Sequence, residues 1–541
     1  VVRRGHLPRT TSGKKQHAAT RERLRAGLLD VRARYELRRG SPTDVLARRE
    51  ADEDVGRAVL EVVAEHARAR GYDGPVLGGS QFTYDLDFDS LALLELFLAV
   101  EERLGTSVPE EALRGVRTVD DLTAIVAGGG AGTGNGVGSA LEALGRSIPQ
   151  TYRTVRGQRG REVVIDGRRV VDMASCNYLG LDLHPDVLAS VPPMLERWGV
   201  HPSWTRAVAS PEPYRALERG LADLLGVPST VVFPTVTLVH IGVLPKLAGP
   251  RGGIVIDAAA HHSLHEAAAL AKGRGTAVAI ARHGDLEDVE AQLVGLADRS
   301  ARVIVVDGVY SMSGNAVDLA PLVELAERHD ATVYVDDAHG FGVLGEEPGP
   351  GAPYGRRGNG VVRYRGLDYR RIVYVGGMSK AYSSLAAFVT CSDEQERQQL
   401  EAASTMVFSG PIPVASLATA LAGLEVNLWE GDDLRDRLWA LTQRLLDGVR
   451  DLGFEVDNES GFPIVNVVLG PTEVATEACR VLWDHGVLLT PAVFPAAPLD
   501  RGGVRLTPTA ANTEDQVDRT LAGLREVRDT LCVRAAAPAD G

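Results

Sequence analysis

Lysine is scarce in this 541-residue chain. Only five of its 58 lysine and arginine residues are lysines: Lys14, Lys15, Lys246, Lys272 and Lys380. Arginine preserves a solvated charge, but only lysine offers an amine that can lose its proton and attack a carbonyl group. Lys380 lies in the apolar, glycine-containing stretch "VYVGGMSKAYSS" (373–384). This amine is therefore a candidate for catalytic chemistry.

Cysteine is also rare, with four residues in the chain and no CxxC spacing among them. Scattered cysteines favour a reducing compartment and argue against a structural zinc site. We therefore expect a cytoplasmic protein without a metal centre.

The chain lacks a long uninterrupted apolar run. Its most apolar stretch, 231–249, is broken by Pro234, His240 and Pro245, so the sequence predicts no membrane span. The formal net charge of −14 argues against nucleic acid as the main partner. That charge is uneven, because residues 1–50 hold fourteen Lys or Arg residues against five Asp or Glu.

Composition shifts divide the chain into five segments. We predict a basic, disordered arm over 1–50, a domain of short amphipathic helices over 51–127 and a glycine-rich linker over 128–146. A larger domain follows over 147–535, and 536–541 form a tail.

The larger domain shows an alternation of strands and helices. Short β-branched runs such as "GGIVID", "RVIVVD" and "TVYVDD" alternate with helical patterns such as "LAPLVELAERHD". This alternation predicts an α/β fold with a mostly parallel sheet covered by helices. From about residue 410 the pattern changes to helices followed by shorter strands, which predicts a smaller α+β domain.

The glycine-rich segment superficially matches a dinucleotide-binding fingerprint. "LTAIVAGGGAGTGNGVGSALEAL" (122–144) contains G-x-G-x-x-G between an apolar run and a helix. However, "TVDDLTAIVAG" is typical of a helix capped by Thr118 rather than of a strand. We therefore interpret the glycines as a flexible tether.

Ser90 opens a predicted helix in "YDLDFDSLALLELFLAVEERLG" (84–105). A phosphate attached at a helix N-terminus meets free backbone N–H groups and the positive end of the helix dipole. A simple N-cap is the alternative. The Asp-Ser-Leu tripeptide, the helical unit around it and the tether after it resemble an all-α, four-helix acyl carrier protein domain over about 55–127. That resemblance implies 4′-phosphopantetheine on Ser90 and a phosphopantetheinyl transferase as a partner.

Candidate partners for Lys380 follow other predicted strands. An aldehyde cofactor needs an amine to hold it, an acid for its ring nitrogen and donors for its phosphate. "ATVYVDDAHGFGVLG" supplies Asp336 and His339, and "DAAAHHSLHEAA" supplies His261 at the start of a helix. "DGVYSMSGN" places Asp307 and Ser311 at another strand end. Taken singly, each is also compatible with a helix cap, a partly buried histidine or a surface charge.

As a set, these residues resemble fold-type I pyridoxal-phosphate enzymes, and most closely the α-oxoamine synthases. That family includes serine palmitoyltransferase, 5-aminolevulinate synthase and 8-amino-7-oxononanoate synthase. The resemblance covers about 147–530. The motifs that carry it, in the order of the family, are "ASCNYLGLDLHP", "YRALERGLADLLG", "VDGVYSMSGN", "VDDAHGFGVLGE", "GGMSKAYSS", "FSGPIPV" and "GVRLTPTAAN".

The resemblance implies a role for each cofactor residue. Lys380 would hold the cofactor aldehyde covalently and later remove the substrate's α-proton. Asp336 would pair with the ring nitrogen, His339 would hold the ring oxygen, and His261 would stack on the ring. The remaining cofactor-binding residues are expected to be Asp307, Ser311, Thr235, Val236, Thr237 and Ser379, the last four around the phosphate.

The resemblance also implies substrate contacts and a shared site. Arg505 would bind the amino-acid carboxylate as a bidentate pair, with a surface strand arginine as the alternative. Asn177 is the second expected substrate contact. Ser409 would reach the phosphate from the neighbouring subunit of a homodimer.

Five positions depart from the family pattern. Val236 and Thr237 stand where the family usually has Gly-Phe, and Gly377 stands where it often has Thr. Cys176 replaces the first residue of an Asn-Asn or Asn-Asp pair, and Tyr214 replaces a frequent histidine. These departures concern the phosphate site and the identity of the amino acid more than the chemistry.

The expected reaction is a decarboxylative Claisen condensation in secondary-metabolite biosynthesis. An amino acid would react with an acyl thioester carried on Ser90 to give an α-aminoketone. The alternative is a pyridoxal-phosphate aminotransferase that acts on a carrier-bound carbonyl compound and releases a keto acid.

The basic head of the chain suggests how the carrier is loaded. "GHLPRTTSGKKQHAATRERLRAG" (5–27) resembles the last motif of acyl-adenylating enzymes, with Lys14 at the position of their catalytic lysine. A basic disordered arm is the alternative. The hypothesis implies an acyl-AMP ligase as a partner, either fused or split.

Overall fold

A computed structural model describes residues 45–69, 72, 74–80, 82, 86, 88, 90–106, 116, 118–127, 148–493, 497 and 501–531. No helix in these ranges has the length and apolar character needed to cross a bilayer. The cysteines in these ranges, Cys176, Cys391 and Cys479, are not joined in disulfides.

Three helices form the described part of the carrier region: α1 (Val45–Ala69), α2 (Ser90–Leu104) and α3 (Val119–Ala127). The rings of Phe82 and Phe97 meet edge to face, with centroids 6.5 Å apart, and both residues are buried. The predicted start of a helix at Ser90 is confirmed. The side chain of Ser90 lies outside the described residues.

The first helix corrects a predicted boundary. α1 begins at Val45, so the boundary placed between residues 50 and 51 falls inside a helix. The physical reason is composition: 45–55 contain no Gly or Pro and are rich in Ala, Leu, Arg and Glu, which favour helix. Residues 1–44, including Lys14, lie outside the described residues.

The segment before the glycine-rich run is a capped helix, as predicted. The Asp121 N–H donates to Thr118 Oγ1 at 3.2 Å, and the Thr118 N–H donates to Asp121 Oδ2 at 2.9 Å. A helix at this position excludes the strand that a dinucleotide fingerprint requires. The predicted linker, 128–146, lies outside the described residues.

A seven-stranded sheet in the order β4-β10-β9-β8-β7-β5-β6 forms the centre of the larger domain. Neighbours from β6 to β9 are parallel, whereas β10 is antiparallel to both β4 and β9. The predicted, mostly parallel sheet is confirmed. The strands are β4 (Ser229–Phe233), β5 (Gly253–Asp257), β6 (Ala277–Ala281), β7 (Arg302–Asp307), β8 (Thr332–Asp337), β9 (Ile372–Gly377) and β10 (Ala387–Cys391).

Helices cover both faces of this sheet and form two apolar cores. α7 and α8 pack on one face, and α6, α9, α10 and α14 pack on the other. The helices of this domain are α4 (Pro185–Ala189), α5 (Val191–Trp198), α6 (Glu212–Leu225), α7 (Val236–Ala248), α8 (His262–Lys272), α9 (Leu286–Gly295), α10 (Leu319–Arg328), α11 (Val361–Tyr364), α12 (Glu394–Glu401), α13 (Ser404–Val407) and α14 (Val414–Trp429).

A smaller α+β part contains two four-stranded sheets, in the orders β1-β2-β3-β13 and β11-β12-β15-β14. Its strands are β1 (Val155–Arg159), β2 (Glu162–Ile165), β3 (Arg168–Asp172), β11 (Glu455–Val456), β12 (Val465–Gly470), β13 (Val487–Leu488), β14 (Thr490–Ala492) and β15 (Gly502–Leu506). Its helices are α15 (Gly431–Asp451), α16 (Thr472–Asp484) and α17 (Glu514–Leu531).

The smaller part differs from the prediction in its limits. It does not begin near 410, because α14 buries Leu417, Ala420 and Leu424 in the core of the large sheet. Val171 and Met173, from the start of the domain, lie instead in the core of the smaller part. Apolar periodicity predicts that a helix or strand is buried, but it does not identify the core in which it is buried.

Candidate active site

A cavity of about 180 Å³ opens where strands of the large sheet end. Ligand sites of open α/β sheets lie outside the carboxyl ends of the strands. β7 and β8 end at Asp307 and Asp337, and β9 ends three residues before Lys380. The sequence-predicted residues that line the cavity are Thr235, Val236, Thr237, His261, Asp307, Asp336, His339, Ser379 and Lys380.

Lys380 differs from the other two lysines of the described chain. Lys246 Nζ donates to the carbonyl of Gln399, and Lys272 Nζ donates to the carbonyl of Arg68 at 2.8 Å. Lys380 forms no hydrogen bond or ion pair with any described residue. Its amine is therefore available to a ligand in the cavity.

Asp336 faces this amine as an ionised carboxylate. Its Oδ2 lies 2.8 Å from His240 Nε2, and its Oδ1 accepts the Ala338 N–H at 3.0 Å. Burial on its own would raise the pKa of Asp336, but His240 and then Lys380 outweigh burial and lower it to about 2. The residue predicted to pair with a ring nitrogen is thus a fixed anion.

Asp307 lies close by, and its surroundings favour the protonated, neutral form. Burial, followed by repulsion from Asp336, raises its pKa well above the usual value for aspartate. Asp307 Oδ1 accepts the backbone N–H of His261 at 3.0 Å. Of the two carboxyl groups, Asp336 therefore carries the negative charge.

Two histidines line the cavity as neutral rings. His261 caps α8, with Nδ1 accepting the Ser263 N–H at 3.3 Å, and burial lowers the pKa of this ring. His339 Nδ1 lies 2.6 Å from the Tyr178 hydroxyl. Burial, then the charges of Lys380 and Arg505, lower the pKa of His339 well below its usual value. A neutral ring can stack or donate one hydrogen bond without adding charge.

The N-terminus of α7 forms another wall of the cavity. Thr235 caps this helix, with Oγ1 accepting the Leu238 N–H at 3.2 Å. Val236 and Thr237 begin the helix, where backbone N–H groups lack partners within the helix and the dipole is positive. This wall suits a phosphate even though the Gly-Phe step of the family is absent.

Arg505 and Asn177 are not among the residues that line the cavity, but they lie beside it. Arg505 Nη1 donates to the carbonyl of Ser311 at 2.9 Å, and Nη2 lies 3.9 Å from Cys176 Sγ. The guanidinium forms no ion pair within the described chain, and its Nε lacks a partner there. Asn177 Oδ1 accepts the Ser383 hydroxyl. Ser311, predicted to bind the cofactor, is not among the residues that line the cavity, and its backbone carbonyl accepts the bond from Arg505.

Ser409 does not line the cavity of its own chain. Its hydroxyl donates to the carbonyl of Gly410 at 3.2 Å, and the adjacent Phe408 is 88% exposed. This position is compatible with the predicted role in a neighbouring subunit, which stays a prediction.

The sequence interpretation missed three residues that contact site residues: His240, Tyr178 and Ser383. His240 interrupts the apolar run 231–249, and a polar residue in an otherwise apolar helix is a usable signal for a buried partner. Ser383 has a φ of +52°, which is unusual for a residue other than glycine and is common at functional sites. Tyr178 carried no signal, because its partner His339 lies 161 residues away.

The cavity fits the cofactor that the sequence implied. It combines an amine, an ionised acid, two neutral imidazoles and a helix N-terminus. These groups match the aldehyde, the pyridine nitrogen, the ring and the phosphate of pyridoxal phosphate.

A larger cavity of about 400 Å³ contains no comparable set. Of its arginines, Arg371 pairs with Asp330 at 3.0 Å, and Arg363 donates to the carbonyl of Leu225 at 2.7 Å. Its charged groups are occupied by structural contacts.

The carrier region contacts the larger domain through Lys272. This lysine donates to the carbonyls of Arg68 and Ala69, at 2.8 and 2.7 Å, and so caps the C-terminus of α1. Lys272 ends α8, the helix that His261 caps at its other end.

Comparison with known proteins identifies both parts of the chain. Residues 168–524 match the family described as aminotransferase class I and II, and residues 67–126 match the phosphopantetheine attachment site family. The 8-amino-7-oxononanoate synthase of Exiguobacterium sibiricum is 33% identical over 370 residues, covering 68% of this chain and 91% of that protein. The serine palmitoyltransferase of Sphingobacterium spiritivorum is 29% identical, covering 68% and 89%.

A solved structure shares the fold of the larger domain. A lysine-to-alanine variant of the serine palmitoyltransferase from S. paucimobilis, with a bound PLP–myriocin aldimine, superposes with a TM-score of 0.67 at 26% identity, covering 74% of this chain and 98% of that one. The chain therefore belongs to the aminotransferase class I and II family, on its α-oxoamine synthase branch, with a phosphopantetheine attachment domain before the catalytic domain.

Proposed function

We propose that this enzyme joins an amino acid to an acyl group carried as a thioester on its own carrier domain. The product is an α-aminoketone, and the pathway is one of secondary metabolism. The observation that carries the proposal is that two basic side chains at the site, Lys380 and Arg505, form no ion pair with a described residue. Lys380 has an unbonded amine in the cavity, and Arg505 has no acidic partner beside it.

Both cofactors follow from the two family matches. Pyridoxal phosphate, when bound, supplies an electron-withdrawing ring that stabilises negative charge on the amino-acid α-carbon. Lys380 is the residue that holds its aldehyde, and Asp336 keeps the ring nitrogen cationic. The N-terminus of α7 and Ser379 receive the phosphate.

The residues of the chain orient the amino acid. Arg505 binds the substrate carboxylate. Among the described residues, its guanidinium otherwise contacts the carbonyl of Ser311 and the sulfur atoms of Met312 and Cys176. Asn177 contacts the same substrate. Lys380, in its neutral form, takes the proton from the α-carbon.

The overall reaction balances without a further reagent. A carbon–carbon bond forms between the α-carbon and the acyl carbon, and the carbon–sulfur bond of the thioester breaks to release the carrier thiol. The carboxyl group then leaves as CO2, and the electron pair of the broken bond takes up a proton at the α-carbon.

The fused carrier is the proposed donor. Its phosphopantetheine is attached to Ser90, at the start of α2. A tether raises the local concentration of the acyl group to roughly millimolar, so a weak docking contact is sufficient. The Lys272 contact with the end of α1 is one such contact.

The test is mass spectrometry of the carrier, loaded with one acyl chain and offered a panel of amino acids. The proposal predicts loss of the acyl mass with one amino acid and release of one CO2. The Ser90→Ala variant cannot be loaded by the transferase and should be inactive when the acyl group has to come from its own carrier. It should stay active when a free acyl thioester is supplied. Formation of a keto acid without CO2 would contradict the proposal and favour the aminotransferase alternative.

Arg505 offers a separate test of substrate binding. Because a bidentate charged pair is lost, Arg505→Gln should raise KM for the amino acid by about 10- to 100-fold. Arg501 of the same region pairs with Glu455 and Asp457 at the surface, so Arg501→Gln is the matched control. An unchanged KM in Arg505→Gln would assign carboxylate binding to another residue.

Two further proposals concern assembly. We propose a homodimer in which Ser409 of one subunit reaches the phosphate of the other. Mixing the Lys380→Ala and Ser409→Ala variants should restore part of the activity, because one site of the mixed dimer is intact. Absence of any recovery in verified mixed dimers would contradict this.

We also propose that an acyl-AMP ligase loads the carrier, on the basis of the Lys14 motif. Sequencing the 5′ end of the transcript tests this. A start site within 1–50 without a ligase reading frame upstream would contradict it. The cytoplasmic location stays a prediction.

A further inference from the structure

His240 is the buried residue that contacts the anionic side of the site. It lies in α7, the same helix whose first residues line the phosphate wall, and its side chain is fully buried. Nε2 lies 2.8 Å from Asp336 Oδ2, and Nδ1 lies 3.0 Å from the Tyr334 hydroxyl. Both ring nitrogens are therefore bonded, one of them to the carboxylate that faces Lys380.

The direction of these bonds follows from the chemistry of the partners. An ionised carboxylate only accepts hydrogen bonds, so Nε2 of His240 carries the hydrogen in this pair. The hydroxyl of Tyr334 can donate or accept, so it fits Nδ1 in either protonation state of the ring. Tyr334 lies in β8, two residues before Asp336, and is also fully buried. Strand and helix thus hold the imidazole from two sides.

This contact fixes Asp336 in orientation as well as in charge. One carboxylate oxygen is held by His240 and the other by the Ala338 N–H. Without the histidine, a nearly dry site would penalise the charged form of Asp336, as it does for the neighbouring Asp307. Of the groups that favour the charged form of Asp336, His240 contributes most, ahead of Lys380 and the Ala338 N–H.

We propose that His240 is a positioning residue for the cofactor, and that its Nε2–H holds Asp336 ionised and oriented toward the pyridine nitrogen. The inference rests on the proposed function, because it requires that pyridoxal phosphate occupies this cavity. It adds a residue that does not itself line the cavity and acts only through Asp336.

The test compares two variants of similar size. His240→Gln places an amide N–H close to the position of Nε2, whereas His240→Met fills the space without a donor. Three quantities are measured for each: the dissociation constant of pyridoxal phosphate from the apoprotein, the exchange of the amino-acid α-proton with D2O in the absence of thioester, and the melting temperature of the apoprotein.

We expect His240→Met to weaken cofactor binding and to slow α-proton exchange by about 10- to 100-fold each, because a hydrogen bond to a charged group is lost. His240→Gln should restore both to within a few-fold of wild type. A purely structural role would lower the melting temperature of both variants without this separation.

The proposal is overturned if His240→Met binds the cofactor and exchanges the proton like wild type, or if His240→Gln is as impaired as His240→Met. If His240→Met does not fold, Tyr334→Phe replaces it. That variant frees the imidazole on one side and should slow exchange measurably, and an unchanged rate would count against the proposal. Failure of the wild-type protein to bind pyridoxal phosphate would instead contradict the proposed function.

Discussion

The last two residues of β8, Asp336 and Asp337, place their carboxyl groups on opposite faces of the central sheet. Both are buried, with 5% and 0% of their surface exposed. Burial on its own would raise both pKa values. With all neighbouring groups included, the pKa of Asp336 is lowered to about 2 and that of Asp337 is raised to about 7. The difference arises from the partners, because successive strand residues point to opposite faces.

The face of Asp336 supplies a histidine and a lysine, whereas the face of Asp337 supplies only neutral donors. Asp337 Oδ2 accepts the Val361 N–H at 2.7 Å and the Tyr374 hydroxyl at 2.7 Å. A Cβ at Gly308 or Gly340 would collide with this side chain, so the backbone is packed tightly around it. The carboxyl group of Asp336 therefore faces the cavity, whereas that of Asp337 holds the loops around it.

The largest expected effect comes from Asp336→Asn. A neutral amide cannot keep a pyridine nitrogen cationic, so α-proton exchange and CO2 release should fall by about 10²- to 10³-fold. Asp337→Asn is the matched control and should retain most of the activity. Equal losses of activity in the two variants would remove the distinction between the faces.

The next effect concerns stability and pH. The folded-state pKa of Asp337 is raised above the unfolded value, so the folded state holds the extra proton between about pH 4 and pH 7. The stability of the wild-type protein should therefore fall as the pH rises toward 7 and then level off, by up to a few kcal/mol. Asp337→Asn cannot titrate and should lose this part of the pH dependence.

Thermal unfolding of wild type and Asp337→Asn between pH 4 and pH 8.5 measures this difference in pH dependence. Asp336 makes the opposite contribution, because its lowered pKa stabilises the fold above about pH 4 and this stability is lost as the pH falls toward 2. Parallel pH profiles for wild type and Asp337→Asn would show that Asp337 is ionised throughout.

The smallest effect is expected from Tyr374→Phe. This change removes one hydrogen bond to Asp337 and leaves the Val361 N–H in place, at a cost of about 1–2 kcal/mol in the free energy of unfolding. Denaturant titration measures this cost. Activity should not change, and a loss of activity comparable to that of Asp336→Asn would contradict the structural role.

The sequence predicted the site residues that follow strands, because the carboxyl ends of parallel strands converge. Asp336 and His339 follow a predicted strand, whereas Lys380 stands out because lysine is scarce in the chain. Their protonation was not predictable, because it depends on which groups face them. Asp336 and Asp337 are the same residue type and adjacent in the chain, yet their pKa values are shifted in opposite directions.

The features that the sequence analysis did not predict have a similar explanation. His240 and Asp336 are 96 residues apart, so no local pattern connects them. The short strand β6 is mostly alanine and valine, which do not distinguish strand from helix. The limits of the smaller part were wrong because α14 and β3 each pack against the core opposite to the one expected from their position in the chain.

Covalent trapping at Lys380 tests the central claim most directly. The apoprotein is incubated with pyridoxal phosphate, reduced with borohydride and digested, and the labelled peptide is identified by mass spectrometry. Wild type and the control variant Lys246→Ala should turn yellow and carry one label, on the peptide that contains residue 380. Lys380→Ala should show neither colour nor label. A label on another lysine, or yellow colour that persists in Lys380→Ala, would contradict the account.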